Sequence, residues 1–167
     1  KSTSNSLATV AANGYAGTST ITIISGSIYS ENNSAVTAYG NGAIVTIKGG
    51  DISTGANGMA PAFAGANTSD GGELIIEGGT FSTAADTATV IAGKNGNVKI
   101  SGGTIESGAG GVAVLSHEGN AKMNISGGEI NGTITKKDDN VMAISGGTFS
   151  EDPSAFVASA TDAAKIE

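Results

Sequence analysis

Short runs of alternating apolar and polar residues recur along the chain, and each run is followed by a pair of small residues, usually two glycines. In the stretch Val98-Lys99-Ile100-Ser101-Gly102-Gly103-Thr104-Ile105, apolar residues lie at every second position up to Ile100 and again at Ile105. Such alternation is typical of strands with one buried face. Glycines allow a sharp bend that residues with a Cβ disfavour. The pattern therefore predicts two short strands joined at a corner.

The same pattern occurs six times in the chain. The second corner position falls at Gly26, Gly50, Gly79, Gly103, Gly128 and Gly147. The sequence numbers of these glycines rise by 24, 29, 24, 25 and 19 in turn, and a period near 24 is typical of a solenoid. A third apolar run precedes each strand pair, and residues 35–39 align with residues 88–92 and 113–117. Three short strands per repeat predict an all-β parallel β-helix of about six coils.

Stacked coils would bury three columns of apolar side chains, because like strands lie about 4.8 Å apart. The first column is Ile23, Ile47, Ile76, Ile100, Ile125 and Ile144. Beside it lie Ile21, Val45, Leu74, Val98, Met123 and Met142, and beyond the corner lie Ile28, Ile52, Phe81, Ile105, Ile130 and Phe149. A single coil leaves these residues in water, so stacking must supply the core. The inward register of the third run stays open, since Val90 and Leu115 are out of phase with Val36 and Val114.

We expect a single domain over residues 1–167, with coils in 8–151 and a cap in 152–167. The first corner departs from the others because Ser25 replaces its first glycine. In the cap, Asp152 is suited to begin a helix whose first position is Pro153. Phe156 and Val157 would then cover the open core of the last coil, and a strand-type cap is the alternative.

Two resemblances follow from these residues. The three-strand repeat resembles the right-handed parallel β-helix of the pectin-lyase-like superfamily. The segment Ile144-Ser145-Gly146-Gly147-Thr148-Phe149, followed by Asp152-Pro153-Ser154 and Phe156-Val157, resembles the "ISGGTF…DPS-x-(Y/F)-V" ending of repeat domains in large surface proteins of gut Gram-positive bacteria. This resemblance implies a secreted or wall-attached module that serves as a stalk, an adhesin or a carbohydrate contact. It implies no catalytic residues.

Composition narrows the range of partners. The net charge is −7, with eight lysines and no arginine, whereas nucleic acids and anionic membranes attract concentrated positive charge. We therefore expect no nucleic-acid partner. No apolar run approaches the ~20 residues of a membrane span, so no membrane insertion is expected. The chain has no cysteine, which excludes disulfides and thiolate metal sites.

Catalytic residues are not expected. In the column after the corner, Asp51 and Glu129 stand three coils apart, roughly 14 Å at strand spacing. Glycoside hydrolysis needs two carboxyl groups about 5 to 10 Å apart. Lys48 lies above Glu77, where a solvated ion pair is expected. The sequence therefore favours a non-enzymatic module, and a polysaccharide lyase or hydrolase fragment of the pectin-lyase-like type is the alternative.

One set of aromatic residues suggests a binding surface. Tyr15, Tyr39 and Phe63 are equally spaced at the repeat period, and Ala92 and His117 continue the same predicted column. If these side chains point outward, they form a flat aromatic shelf that suits sugar rings. The alternative is an internal aromatic stack, in which the rings bury more area.

An insertion at residues 65–72 lengthens the third coil, and insertions in solenoids often mark a binding face. Its Asn67 and Asp70 join the predicted ligand-binding residues. The expected partner is a glycan or another ligand on a host surface. Open coil edges also pair with other chains, so end-to-end self-association is a further expectation.

The best candidates for calcium ligands are Asp138, Asp139 and Asn140, in the corner that follows residues 133–135. Ca²⁺ takes six to eight oxygen ligands, and these three side chains supply only part of such a set. A solvated turn is therefore the favoured interpretation, and a calcium site is the alternative. No other cofactor is expected.

Overall fold

The computed structural model describes residues 8–65, 71–117, 119–137 and 140–157. Within these ranges the chain forms three parallel six-stranded sheets, and each of six coils contributes one strand to every sheet. The prediction of an all-β parallel solenoid with three strands per coil is confirmed. In the described ranges, no helix has the length and apolar character needed to cross a membrane.

Every third strand along the chain belongs to the same sheet. Sheet 1 contains β1 (Ala8–Asn13), β4 (Ser34–Tyr39), β7 (Ala62–Ala64), β10 (Val90–Ala92), β13 (Val112–Ser116) and β16 (Thr133–Lys136). Sheet 2 contains β2 (Ser19–Ile23), β5 (Ala43–Ile47), β8 (Glu73–Ile76), β11 (Asn97–Ile100), β14 (Lys122–Ile125) and β17 (Val141–Ile144). Sheet 3 contains β3 (Ser27–Ser30), β6 (Asp51–Thr54), β9 (Thr80–Thr83), β12 (Thr104–Glu106), β15 (Glu129–Asn131) and β18 (Thr148–Phe149).

The predicted apolar columns form the core. In sheet 2, Ile76 pairs with Ile47 on one side and Ile100 on the other. In sheet 3, Phe81 pairs with Ile52 and Ile105, and its side chain is fully buried. The strands are therefore stacked in the register that the repeat predicts for these two sheets, and each coil buries its apolar face against its neighbours.

The corner between sheets 2 and 3 needs glycine for two different reasons. The second glycine has a positive φ, for example +103° at Gly50 and +88° at Gly103, where a Cβ is strained. The first glycine lies against the preceding coil. A Cβ at this position would lie 2.7 Å or less from a carbonyl oxygen of that coil at each of Gly49, Gly78, Gly102, Gly127 and Gly146. Close stacking of the corners therefore depends on both glycines.

Sheet 1 settles the register that the sequence left open. Val36, Ala62, Val90 and Val114 pair in one buried, inward column. Residues 113–117 therefore align with 35–39 as predicted, whereas the prediction for 88–92 is wrong by one position. In that coil the connection from sheet 1 to sheet 2 is one residue shorter than in the other two. An alignment that counts a fixed number of residues back from Ile100 therefore begins one residue too early.

The C-terminal segment forms one 3-10 turn, Ser154–Phe156, and the Ser154 N–H donates to Oδ1 of Asp152 over 2.9 Å. Phe156 packs against the core as predicted. Val157 does not cover the core: it is 53% exposed, because its extended backbone forms a parallel bridge to Ile144 at the edge of sheet 2. The rest of the predicted cap, residues 158–167, lies outside the described residues.

Candidate functional site on the outer face of sheet 1

Three large apolar side chains point outward from adjacent strands of sheet 1. Phe63 pairs with Ile91, and Ile91 pairs with Leu115, so the three residues stand on neighbouring coils. Their strand neighbours, such as Ala62 and Ala64, face inward and are fully buried. Phe63, Ile91 and Leu115 are partly buried. Sheet 1 is therefore apolar on both faces in its middle coils.

These side chains form the floor of a groove, which we call the sheet 1 groove. One wall is formed by Met59, which is 53% exposed, and by Thr87, and the other wall by Gly93, Lys94 and His117. The groove has a volume of about 230 Å³. Pockets that enclose a small ligand usually have volumes of about 300–1,000 Å³. The sheet 1 groove therefore suits contact with one face of a ligand.

Two neighbours fix the ring of Phe63. A Cβ on residue 93 would lie 2.6 Å from Cζ of Phe63, so Gly93 leaves the space that the ring occupies. The ring of Tyr39 packs against it at a tilt of 49°, with the ring centroids 6.1 Å apart. Tilted aromatic pairs at this separation are favourable. The largest side chain of the groove is thus held in place by both adjacent coils.

The predicted single column of Tyr15, Tyr39 and Phe63 is wrong. Tyr39 pairs with Asn13, and Phe63 pairs with Thr37, because the repeat of sheet 1 is longer in this region than the spacing of the aromatic residues. Each aromatic residue is therefore displaced by two positions from the one before it, and the three descend diagonally across the outer face.

The other residues of the predicted column lie in different environments. Tyr15 follows the end of β1, is 51% exposed and is not among the residues that line the groove. Ala92 is fully buried and faces inward. His117 lies on the rim of the groove.

Two polar side chains at the groove interact with their surroundings. Burial raises the pKa of the Tyr39 phenol above its ordinary value. Nζ of Lys137 lies 3.0 Å from Nε2 of His117. An ammonium group can only donate, so Nε2 of His117 is the acceptor in this contact.

The described residues on either side of the insertion lie at the same corner as this rim. Asn67 and Asp70 lie outside the described residues, but the flanking glycines are described. A Cβ on Gly65 would lie 2.8 Å from the carbonyl carbon of Gly93, and one on Gly71 would clash with the carbonyl oxygen of Asn95. Both ends of the insertion therefore pack on the corner that follows β10.

Asn140, a predicted calcium ligand, is committed to the backbone. Its Nδ2 donates to the Ser116 carbonyl over 3.0 Å, and its Oδ1 accepts the Ala121 N–H over 3.1 Å. Asp138 and Asp139 lie outside the described residues, so calcium binding stays a prediction. Within the described ranges, no three His, Asp or Glu side chains come together as a metal-binding group.

The two acidic residues of the predicted column after the corner lie in sheet 3, away from the groove on sheet 1. Asp51 and Glu129 are separated by three strand spacings in sheet 3, as predicted from the sequence. Lys48 and Glu77 form the predicted ion pair, with Nζ and Oε2 3.5 Å apart. Among the described residues that line the groove there is no carboxylate. This lining supplies an apolar surface, an ammonium group and an imidazole.

The sequence analysis missed Met59, Ile91, Leu115 and Lys94 as groove residues. The signal for two of them was the adjacency of two large apolar residues, Val90 with Ile91 and Val114 with Leu115, which gives a strand two apolar faces. Lys94 and Met59 lie in loops, where alternation gives no information.

Comparisons with protein families, with curated proteins and with solved structures find no match for this chain. Function is therefore argued from the solenoid and its groove.

Proposed function

We propose that this chain is a non-enzymatic, extracellular bacterial module that acts as a rigid spacer and adhesin, and that the sheet 1 groove contacts carbohydrate. The observation that supports the adhesive role is the outward column of Phe63, Ile91 and Leu115. These side chains would be more stable under a ligand than in water, since burial of apolar area is favourable by about 25 cal/mol per Å².

The chemistry of the groove matches the face of a sugar ring. One face of a pyranose presents C–H groups, which pack against aromatic and aliphatic side chains, while the hydroxyl groups at the ring edge need hydrogen-bonding partners. Phe63 and Ile91 supply the apolar surface. Thr87, Lys94 and His117 supply polar groups at the edge. Binding sites commonly combine such an apolar lining with a few polar groups.

The spacer role rests on the solenoid itself. Each of the four inner coils hydrogen-bonds to the coil before it and the coil after it in three sheets, so the strands form a continuous ladder along the axis. The extracellular, surface-attached setting rests on the resemblance of residues 144–157 to bacterial surface repeats.

Binding to an array of host and microbial glycans tests the adhesive role. We expect Phe63→Ala to weaken binding about tenfold or more, the loss that corresponds to about 1.4 kcal/mol. Ile75→Ala is the matched control, because Ile75 also points outward but lies in β8 of sheet 2. If the unmodified protein binds no glycan, or both variants lose binding equally, the groove has no carbohydrate role and the spacer role remains.

The enzymatic alternative has its own test. Incubation with pectins and related polysaccharides would release reducing ends or unsaturated products from a hydrolase or lyase. Product release that is lost in Asp51→Asn or Asp70→Asn would favour the alternative over the adhesin.

A further inference from the structure

The first residue of each corner between sheets 2 and 3 decides whether another coil can stack beneath it. In the second to sixth coils this residue is glycine, and a Cβ there would lie 2.7 Å or less from a carbonyl oxygen of the coil before. In the first coil the residue is Ser25. Among the described residues no coil precedes it, so its Cβ is tolerated.

At the opposite end of the solenoid, the described residues leave the matching corner uncovered. A groove of about 390 Å³ lies beside the corner of the sixth coil and is lined by Ser145, Gly146 and Gly147, together with Phe149, Pro153 and Val157. If a second copy continued the sheets here, its residue 25 would meet the carbonyl of Ser145. This is the place that Gly146 occupies against the carbonyl of Ser126 one coil earlier.

A Cβ at this place would separate the corners. Within the solenoid, the Lys48 N–H donates to the Ile23 carbonyl and the Asp51 N–H to the Gly26 carbonyl, both over 2.8 Å, on either side of the corner. Equivalent bonds between two copies need the same close approach. A Cβ atom essentially never lies within 3.0 Å of a heavy atom outside its own residue and its two chain neighbours, so serine would prevent these hydrogen bonds from forming.

We propose that Ser25 keeps the chain from stacking head to tail on a second copy of itself. This proposal is opposed to the expectation of end-to-end self-association, which stays a prediction. Among the described residues, the end strands of the three sheets pair with no further coil, although Val157 bridges to Ile144 in one of them. The Cβ of Ser25 excludes a second copy that would continue the sheets. Natural β-proteins commonly protect exposed edges by such local features.

The test must take account of the C-terminal 3-10 turn, which partly covers the last coil. Val157 bridges to Ile144, and Phe156 packs on the last coil, so this turn must be loosened before a second copy can dock. The test compares the unmodified protein, Phe156→Ala, and Phe156→Ala combined with Ser25→Gly, by sedimentation velocity over a wide range of concentration. Circular dichroism verifies that each variant is folded.

The combined Ser25→Gly and Phe156→Ala variant should form dimers and longer species at concentrations where the other two proteins sediment as monomers. Ser27→Gly with Phe156→Ala is the matched control, since it adds a glycine close to the corner but not at it, and it should stay monomeric. The proposal is overturned if the Ser25→Gly combination remains monomeric while folded, or if Phe156→Ala alone associates to the same extent.

Discussion

The corner glycines show what a single residue contributes to the stack. The sequence predicts a bend at each glycine pair, and this is confirmed by the positive φ of the second glycine, such as Gly103. The need for the first glycine is different, because it arises from the approach of another coil. The sequence does not show this approach directly. It is indicated only by the first coil, where Ser25 replaces the first glycine and no described coil comes before it.

A methyl group at one such glycine tests this contact. In Gly102→Ala, the new Cβ would press on the carbonyl of Glu77, and overpacking of this kind costs about 1–3 kcal/mol. Ser25→Ala keeps a Cβ at the equivalent corner with no described coil before it, so its free energy of unfolding should change by less than about 0.5 kcal/mol. Urea unfolding measures both changes, and equal losses in the two variants would contradict the contact.

At the scale of the strands, sheets 2 and 3 were predicted better than sheet 1. In sheet 2, a glycine pair follows every isoleucine of the inward column except the first, so the corners mark the register even where the period varies. The inward column of sheet 1 runs through Val10, Val36, Ala62, Val90, Val114 and Ile134, and its spacing follows a different series. The lengths of the connections between the sheets vary, so the equal spacing of the aromatic residues did not reflect their register. Many inward residues of sheet 1 are alanines, which do not mark the register of the strands as the glycine pairs do in sheet 2.

Asn140 provides a prediction for the last coil. Asn140→Ala would leave the Ala121 N–H unsatisfied in a buried position, which costs about 1–3 kcal/mol, while the Ser116 carbonyl would keep the Lys137 N–H as a donor. Amides of β17 should then exchange with deuterium faster, while those of β8 remain protected. Asn124→Ala, on the outer face of β14, is the control and should change little.

The same variant separates structure from metal binding. A structural role predicts an equal loss of stability with calcium and with a chelator. A loss that appears only with calcium would favour the predicted calcium site over the backbone contacts.

At the scale of the whole molecule, the fold could be predicted because one pattern recurs in every coil. The groove could not be predicted because it occurs once. Phe63, Ile91 and Leu115 come from three different coils, and they become neighbours only when the register of sheet 1 is known. The proposed carbohydrate contact therefore depends on that register.

Disulfide trapping of the groove tests this dependence most directly, because the chain has no cysteine of its own. Ile91 and Leu115 are paired on adjacent strands, about 4.8 Å apart, which lies within the Cα separation that a disulfide spans. Ile91→Cys with Leu115→Cys should form an intramolecular disulfide, detected by mass spectrometry of the unreduced peptides. Ile91→Cys with Val114→Cys should not, because Val114 faces the core. If the second pair forms a disulfide, or if the first pair does not, the register of sheet 1 that forms the groove is contradicted.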